Sequence, residues 1–177
     1  MNFIAHADVA RRHRADPRFV LGAVLPDLVP MLGLTITRDD VEPVVAEGWR
    51  FHHVVDEAFH ADPYFLAGVR ALRDDLRSTP LHTGARRAVA HVGWELLLDD
   101  VVPPDAFYEA VALLDLDPPR APSLSTAERV HRAVSRRPRL AYDASLTPTV
   151  AAVLEQHRNA VADAAPHVLS GSFELSP

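Results

Sequence analysis

The sequence predicts an all-α fold, a compact bundle of seven or eight helices, and three observations carry this prediction. Apolar residues recur at helical spacing, no long apolar and polar alternation marks a strand, and proline or capping residues separate the periodic segments. The chain has 177 residues, of which 48% are apolar, the ordinary globular level. We therefore expect a single domain over residues 1–169 and a frayed tail over residues 170–177.

The predicted helices follow one another with short connections. They cover residues 2–13, 17–32, 39–61, 63–77, 82–101, 104–115, 124–136 and 147–164. Asp16 precedes a proline, which is typical of an N-cap and the first helical position. Asp62-Pro63 separates two helices, and the three prolines of residues 117–122 predict a loop.

Two further helix starts rest on capping residues. The stretch from Thr37 to Asp40 can cap the third helix. Residues 123–126 can cap the seventh helix, where Glu128 is positioned for a capping box.

Composition excludes several classes of protein. The chain has no cysteine, so a disulfide scaffold, a thiolate zinc site and a cysteine nucleophile are excluded. Its net charge of −6 does not favour nucleic-acid binding. There is neither a signal-peptide pattern nor an apolar run of about 20 residues, so we expect a cytoplasmic protein without a membrane span.

The third predicted helix carries His52, Asp56 and His60 at intervals of four residues. Positions four apart share one face of a helix, and Phe51, Val55 and others make the surround apolar. Burying imidazoles and a carboxylate is costly unless they have partners, and a bound cation offsets that cost. Imidazole and carboxylate ligands suit zinc, iron or manganese.

The fifth predicted helix repeats the spacing with His91, Glu95 and Asp99, although Asp99 is also consistent with a helix end. Two facing stripes of this kind form metal sites in helical bundles. His6 and Asp27 are further candidates from apolar surroundings. His6 alone is more typical of a core histidine, and Asp27 alone fits a helix N-cap equally well.

Motifs of other hydrolases are absent from the sequence. We find no glycine-rich phosphate loop, no Gly-x-Ser-x-Gly elbow and no His-Glu-x-x-His. Arg136, Arg137 and Arg139 form a basic cluster, which is either a solvated helix end or a phosphate contact.

Five segments, in order, carry a resemblance to a known family. They are the opening residues 1–6, Gly22 to Asp27, Gly48 to Asp56, the helix around His91, Trp94 and Glu95, and residues 135–140. Together they resemble the bacterial acyl-carrier-protein phosphodiesterases, which belong to the HD-type metal-dependent phosphohydrolases.

This resemblance implies an HD-like helical fold and a phosphodiesterase that removes phosphopantetheine from acyl carrier protein or cleaves a related phosphoester. The expected metal cage, for manganese, iron or zinc, consists of His52, Asp56, His60, His91 and Glu95, with His6 and Asp27 at its edge. Asp56 or Asp27 would orient the attacking water or take its proton. The arginines of residues 136–139 would pair with substrate phosphate.

Departures from the family pattern leave alternatives open. His53 stands where the family has arginine, His60 and His91 where it has aspartate, and Leu96 where it has histidine. An acidic chain also does not favour docking an acidic carrier protein, except at the arginine cluster. The alternatives are a non-catalytic helical domain, binding metal or partners, and a phospholipase C-like enzyme with a zinc cluster.

Overall fold

The computed structural model describes residues 3–114, 124–136, 140 and 142–171, and within them every regular element is helical. The predicted all-α class is confirmed. The helices are α1 (Phe3–His13), α2 (Pro17–Leu32), α3 (Pro43–Ala61), α4 (Pro63–Asp75), α5 (Thr83–Val101), α6 (Asp105–Val111), α7 (Thr126–Ser135) and α8 (Thr147–Val168). Of these helices, none is long and apolar enough to cross a membrane.

Three of the predicted helix starts are confirmed by their caps. The Asp16 carboxylate accepts a hydrogen bond from the backbone N–H of Arg18, at 3.0 Å. Asp62 accepts one from the N–H of Tyr64, at 2.8 Å. Ser125 caps α7, and the Glu128 carboxylate accepts from the Ser125 N–H in a reciprocal capping box.

Several boundaries differ from the prediction. The fourth and sixth helices end at Asp75 and Val111, each followed by a 3-10 turn. The third helix begins at Pro43, because the Asp40 carboxylate accepts the Thr37 N–H and closes a separate 3-10 turn over Arg38–Asp40. The eighth helix continues to Val168, since Ala165 and Val168 bury apolar side chains in its last turn. The predicted loop over residues 117–122 and most of the predicted tail lie outside the described residues.

Contacts within the chain group it into two units. The first unit comprises Met1–Ala61, Val102–Arg120 and Leu169–Pro177, and the second comprises Asp62–Val101 and Ala121–Val168. That these units form one domain over residues 1–169 stays a prediction.

In the first unit, α2 and α3 cross with their backbones in contact. A Cβ atom built on Gly22 would lie 2.0 Å from the carbonyl oxygen of Val45. A Cβ atom on Gly48 would lie 2.0 Å from the carbonyl oxygen of Phe19. Because backbone atoms cannot move aside as a flexible side chain can, only glycine permits this crossing at both positions.

In the second unit, α4 and α5 pack around an aromatic core. Phe65 meets Trp94 edge to face, with ring centroids 5.2 Å apart. A Cβ atom on Gly68 would lie 2.1 Å from the indole nitrogen of Trp94, so this glycine makes room for the ring. At the edge of the unit, the His157 imidazole of α8 lies 2.8 Å from the Asp75 carboxylate at the end of α4.

Candidate metal site

The crossing of α2 and α3 determines where His52 lies. His52 follows Gly48 by one helical turn, and its Nδ1 lies 2.9 Å from the carbonyl oxygen of Ala23, next to Gly22. Since a carbonyl only accepts hydrogen bonds, Nδ1 carries the proton and donates it. The neutral ring then keeps its lone pair on Nε2, the atom that binds a metal.

A proline adjoins the carbonyl that receives this bond. Pro26 lies inside α2 and has no N–H to donate to the carbonyl of Gly22, four residues earlier. A proline ring also crowds the preceding turn and opens the helix there. The neighbouring carbonyl of Ala23 accepts the hydrogen bond of His52 from outside α2.

Two imidazoles stack at the centre of the site. The rings of His6 from α1 and His52 from α3 lie with centroids 4.1 Å apart and planes inclined by 25°. Both residues are buried, at 1% and 5% exposure. Burial lowers the pKa of His52 to about 4, although the Ala23 carbonyl opposes the shift. His52 is therefore neutral near pH 7, as a metal ligand must be.

Two carboxylates flank the ring of His6. Its Nδ1 lies 3.6 Å from Oδ2 of Asp27, and its Nε2 lies 3.9 Å from Oδ1 of Asp56. The side chains of Asp27 and Asp56 are one-third exposed, at 33% and 35%, whereas both imidazoles are covered. Oδ2 of Asp27, the oxygen nearer His6, is itself buried, so only other atoms of that side chain reach solvent.

Asp56 receives further support from His60, one turn later on α3. Nδ1 of His60 lies 2.8 Å from the Asp56 carbonyl oxygen and 3.2 Å from its Oδ2. Burial would raise the pKa of Asp56, but hydrogen bonding by His60 and nearby positive charge outweigh it and hold that pKa well below its ordinary value. Asp56 is therefore ionised at neutral pH, and His60 is positioned as its partner.

The ligand atoms of His6, His52 and Asp56 all lie within 4.8 Å of one another. Two imidazoles and one carboxylate form a donor set that suits a divalent transition metal. Catalytic metal sites commonly use three protein ligands and leave a position open for water or substrate. The residues present therefore fit such an ion, with Asp27 and His60 adjoining the three ligands.

The second predicted stripe lies in the second unit, and its histidine is more exposed. Nε2 of His91 lies 3.2 Å from Oε1 of Glu95, with His91 43% exposed and Glu95 14% exposed. The pair borders an open cleft of about 530 Å³ along α5, beside Arg87 and Leu140. Asp99, the third member of the stripe, is buried at 3% exposure.

The structure also places Asp27 and part of the arginine cluster. Asp27 lies well inside α2, so its interpretation as a helix N-cap is wrong. Arg136 ends α7 in the second unit, while Arg137 and Arg139 lie outside the described residues.

Sequence reasoning placed His6 at the edge of the site, whereas the structure places it between two carboxylates. It also missed the contributions of Gly22 and Gly48 to the geometry. Glycine inside a helical pattern is a signal of close packing and could have pointed to both positions.

Comparisons with protein-family models, curated proteins and solved structures found no significant match. The class of protein is therefore defined by the chain's own residues. It is an all-α protein whose first unit encloses a cluster of two histidines and one aspartate, with a second aspartate alongside.

Proposed function

We propose that this chain binds a divalent transition metal ion through His6, His52 and Asp56 and hydrolyses a phosphoester bond. The observation that carries the proposal is the convergence of three ligand-type side chains within 4.8 Å. The bond from His52 to Ala23 supports it, because that bond leaves Nε2 of His52 with a lone pair.

The residues around the ligands have distinct tasks in this proposal. Asp27 lies beside Nδ1 of His6 and would orient that ring, as carboxylates commonly do for metal-binding histidines. Oδ2 of Asp27 is buried against His6, but the side chain as a whole is one-third exposed, and a carboxylate so placed is suited to take a proton from water. His60 would hold the Asp56 carboxylate in its ionised form and fixed orientation.

The reaction class rests on two lines of support. A divalent ion, when bound, polarises a phosphoryl oxygen and lowers the pKa of a coordinated water. The ordered resemblance to HD-type phosphohydrolases includes His6, Asp27, His52 and Asp56, the same residues that meet in the first unit. Within this reaction class, the specific substrate that we propose is acyl carrier protein, from which the enzyme would remove phosphopantetheine.

The first test compares adjacent histidines of α3. His52 is buried in the cluster, and His53 beside it is exposed. After loading with manganese, iron or zinc, wild type should hold about one ion per chain and hydrolyse bis(4-nitrophenyl) phosphate. We expect His52→Ala to lose about 100-fold in metal affinity, and His53→Ala to match wild type. Metal content is measured by elemental analysis and turnover by absorbance.

A second pair of variants tests the carboxylate. Asp56→Asn should lose metal and turnover, while Glu57→Gln, one residue along on the exposed side of α3, should retain both. Equal metal content in all four variants would contradict the site. Metal binding without turnover of phosphodiesters or of acyl carrier protein would instead support the non-catalytic metal-binding domain.

A further inference from the structure

The C-terminal end of α2 exposes a continuous apolar segment. Met31, Leu32 and Leu34 are 51%, 47% and 45% exposed. No residue from Pro30 to Ile36 carries a charge. The next cationic residue after this segment is Arg38. Its guanidinium lies 3.2 Å from the Asp39 carboxylate and so already has an ion-pair partner. Neighbouring exposed apolar side chains of this size commonly mark a binding surface.

This segment continues the face of α2 that contributes to the candidate metal site. Asp27 and Met31 are four residues apart, so their side chains are neighbours on the helix surface. Both belong to the first unit. Met31 thus lies one turn beyond a carboxylate that contacts His6.

The direction of the helices indicates where the cluster meets solvent. From the glycine crossing, α2 and α3 run onward together, with Ala23 against His52. His52 is buried, whereas Asp27 and Asp56, one turn further along their helices, are one-third exposed. Exposure rises again at Met31. The open side of the cluster is therefore the side on which the apolar segment begins.

We propose that Met31 holds an aliphatic group of the phosphoester substrate next to the metal site. This inference rests on the proposed function and narrows its substrate class to phosphoesters that carry an aliphatic chain. An uncharged surface offers no ion pair to a polar group, whereas each methylene it covers favours binding by removing apolar area from water.

The experiment measures binding separately from turnover. The full metal-loaded chain is titrated calorimetrically with ethyl phosphate and with octyl phosphate below its micelle concentration. Wild type should bind octyl phosphate about tenfold more tightly than ethyl phosphate. Met31→Gln should reduce that ratio to about threefold or less, with unchanged metal content and unchanged affinity for ethyl phosphate. Leu66→Gln is the matched control, because Leu66 is 46% exposed on α4 in the second unit.

Each outcome separates this inference from the proposed function. Equal affinity for the two phosphates, or an octyl advantage that persists in Met31→Gln, overturns the aliphatic contact. A Met31→Gln variant that changes the oligomeric state by light scattering and keeps the octyl advantage identifies a second copy as the occupant, which also overturns it. An octyl advantage that depends on Met31, without hydrolysis of alkyl 4-nitrophenyl phosphates, supports the contact and contradicts the proposed reaction.

Discussion

The helices α3 and α5 carry nearly the same ligand spacing, but the structure gives the two stripes different surroundings. On α3, His52 and Asp56 join His6 in a cluster whose imidazoles are buried. On α5, His91 and Glu95 form a pair whose histidine is 43% exposed. A spacing of four residues places side chains on one face, but it does not determine what that face meets.

The difference arises from the glycines beside the α3 stripe. Gly48 lies one turn before His52, and its missing side chain lets α2 approach within contact of the backbone. That approach brings the Ala23 carbonyl to 2.9 Å from the His52 ring. On α5, Gly93 lies between His91 and Glu95 and faces Leu154 instead, at 2.7 Å from an added Cβ. The glycine of α5 therefore serves apolar packing, not the polar pair.

The largest effect is expected from a substitution that adds a side chain at the contact between α2 and α3. Gly48→Ala forces a Cβ to 2.0 Å from a backbone oxygen and should lower the free energy of unfolding by about 3 kcal/mol or more. Metal affinity should fall with it, since Ala23 and His52 separate. Urea denaturation and metal titration measure the two changes.

Gly33→Ala is the control for this variant. Gly33 has a φ of 67°, but an added Cβ would find nothing within 4 Å. We expect Gly33→Ala to lower the free energy of unfolding by about 1 kcal/mol, because of the left-handed backbone conformation alone. Equal destabilisation by the two substitutions would contradict the role assigned to the crossing.

An intermediate effect is expected from pH in the metal-free protein. The folded pKa of His52, about 4, lies below its ordinary value of 6.5, so the unfolded chain binds the proton more tightly. The contribution of His52 to stability is therefore complete above pH 6.5 and is lost as pH falls toward 4. Between pH 7 and pH 4.5 we expect a loss of about 2 kcal/mol in the free energy of unfolding.

Matched variants isolate this contribution. His52→Gln keeps a donor for the Ala23 carbonyl without a titrating ring, and its unfolding free energy should fall about 2 kcal/mol less over the same range. His53→Gln should keep most of the wild-type pH dependence, because burial is the main cause of the lowered His52 pKa and the neighbouring imidazole a smaller one. If His52→Gln and wild type lose stability in parallel, His52 is not the buried neutral group described here. Urea titrations in chelator at several pH values supply the data.

The smallest effect is expected at the second stripe. An exposed histidine paired with a carboxylate contributes little, so His91→Gln should change the free energy of unfolding by about 0.5 kcal/mol or less. Its metal content should match wild type. Loss of bound metal in His91→Gln would show that the α5 stripe is a ligand set in its own right.

The sequence predicted much of the fold, because helix ends depend on local chemistry. The caps at Asp16, Asp62 and Ser125 and the apolar spacing between them are properties of neighbouring residues, and the structure confirms them. The third helix was predicted to start too early because the capping pattern of Thr37 and Asp40 is complete within its own 3-10 turn.

The site was less predictable, because it depends on contacts between distant segments. Spacing identified His52 and Asp56 as candidates, while apolar surroundings and the resemblance added His6 and Asp27. The stacking of His6 on His52 joins residues 46 positions apart. The group on α2 that accepts the His52 hydrogen bond is the backbone carbonyl of Ala23, and no pattern of side chains predicts such a contact. Spacing alone also treated α3 and α5 as equivalent, which the surroundings of their side chains contradict.

The central claim is that a metal ion lies between His6, His52 and Asp56. The most direct measurement is an anomalous difference map from a metal-loaded crystal, with data collected on both sides of the absorption edge of the metal. We predict one strong peak about 2.0–2.2 Å from a nitrogen of each of the two histidines and from an oxygen of Asp56. A peak at His91 and Glu95 instead, or a fully loaded crystal with no peak in this cluster, would contradict the account.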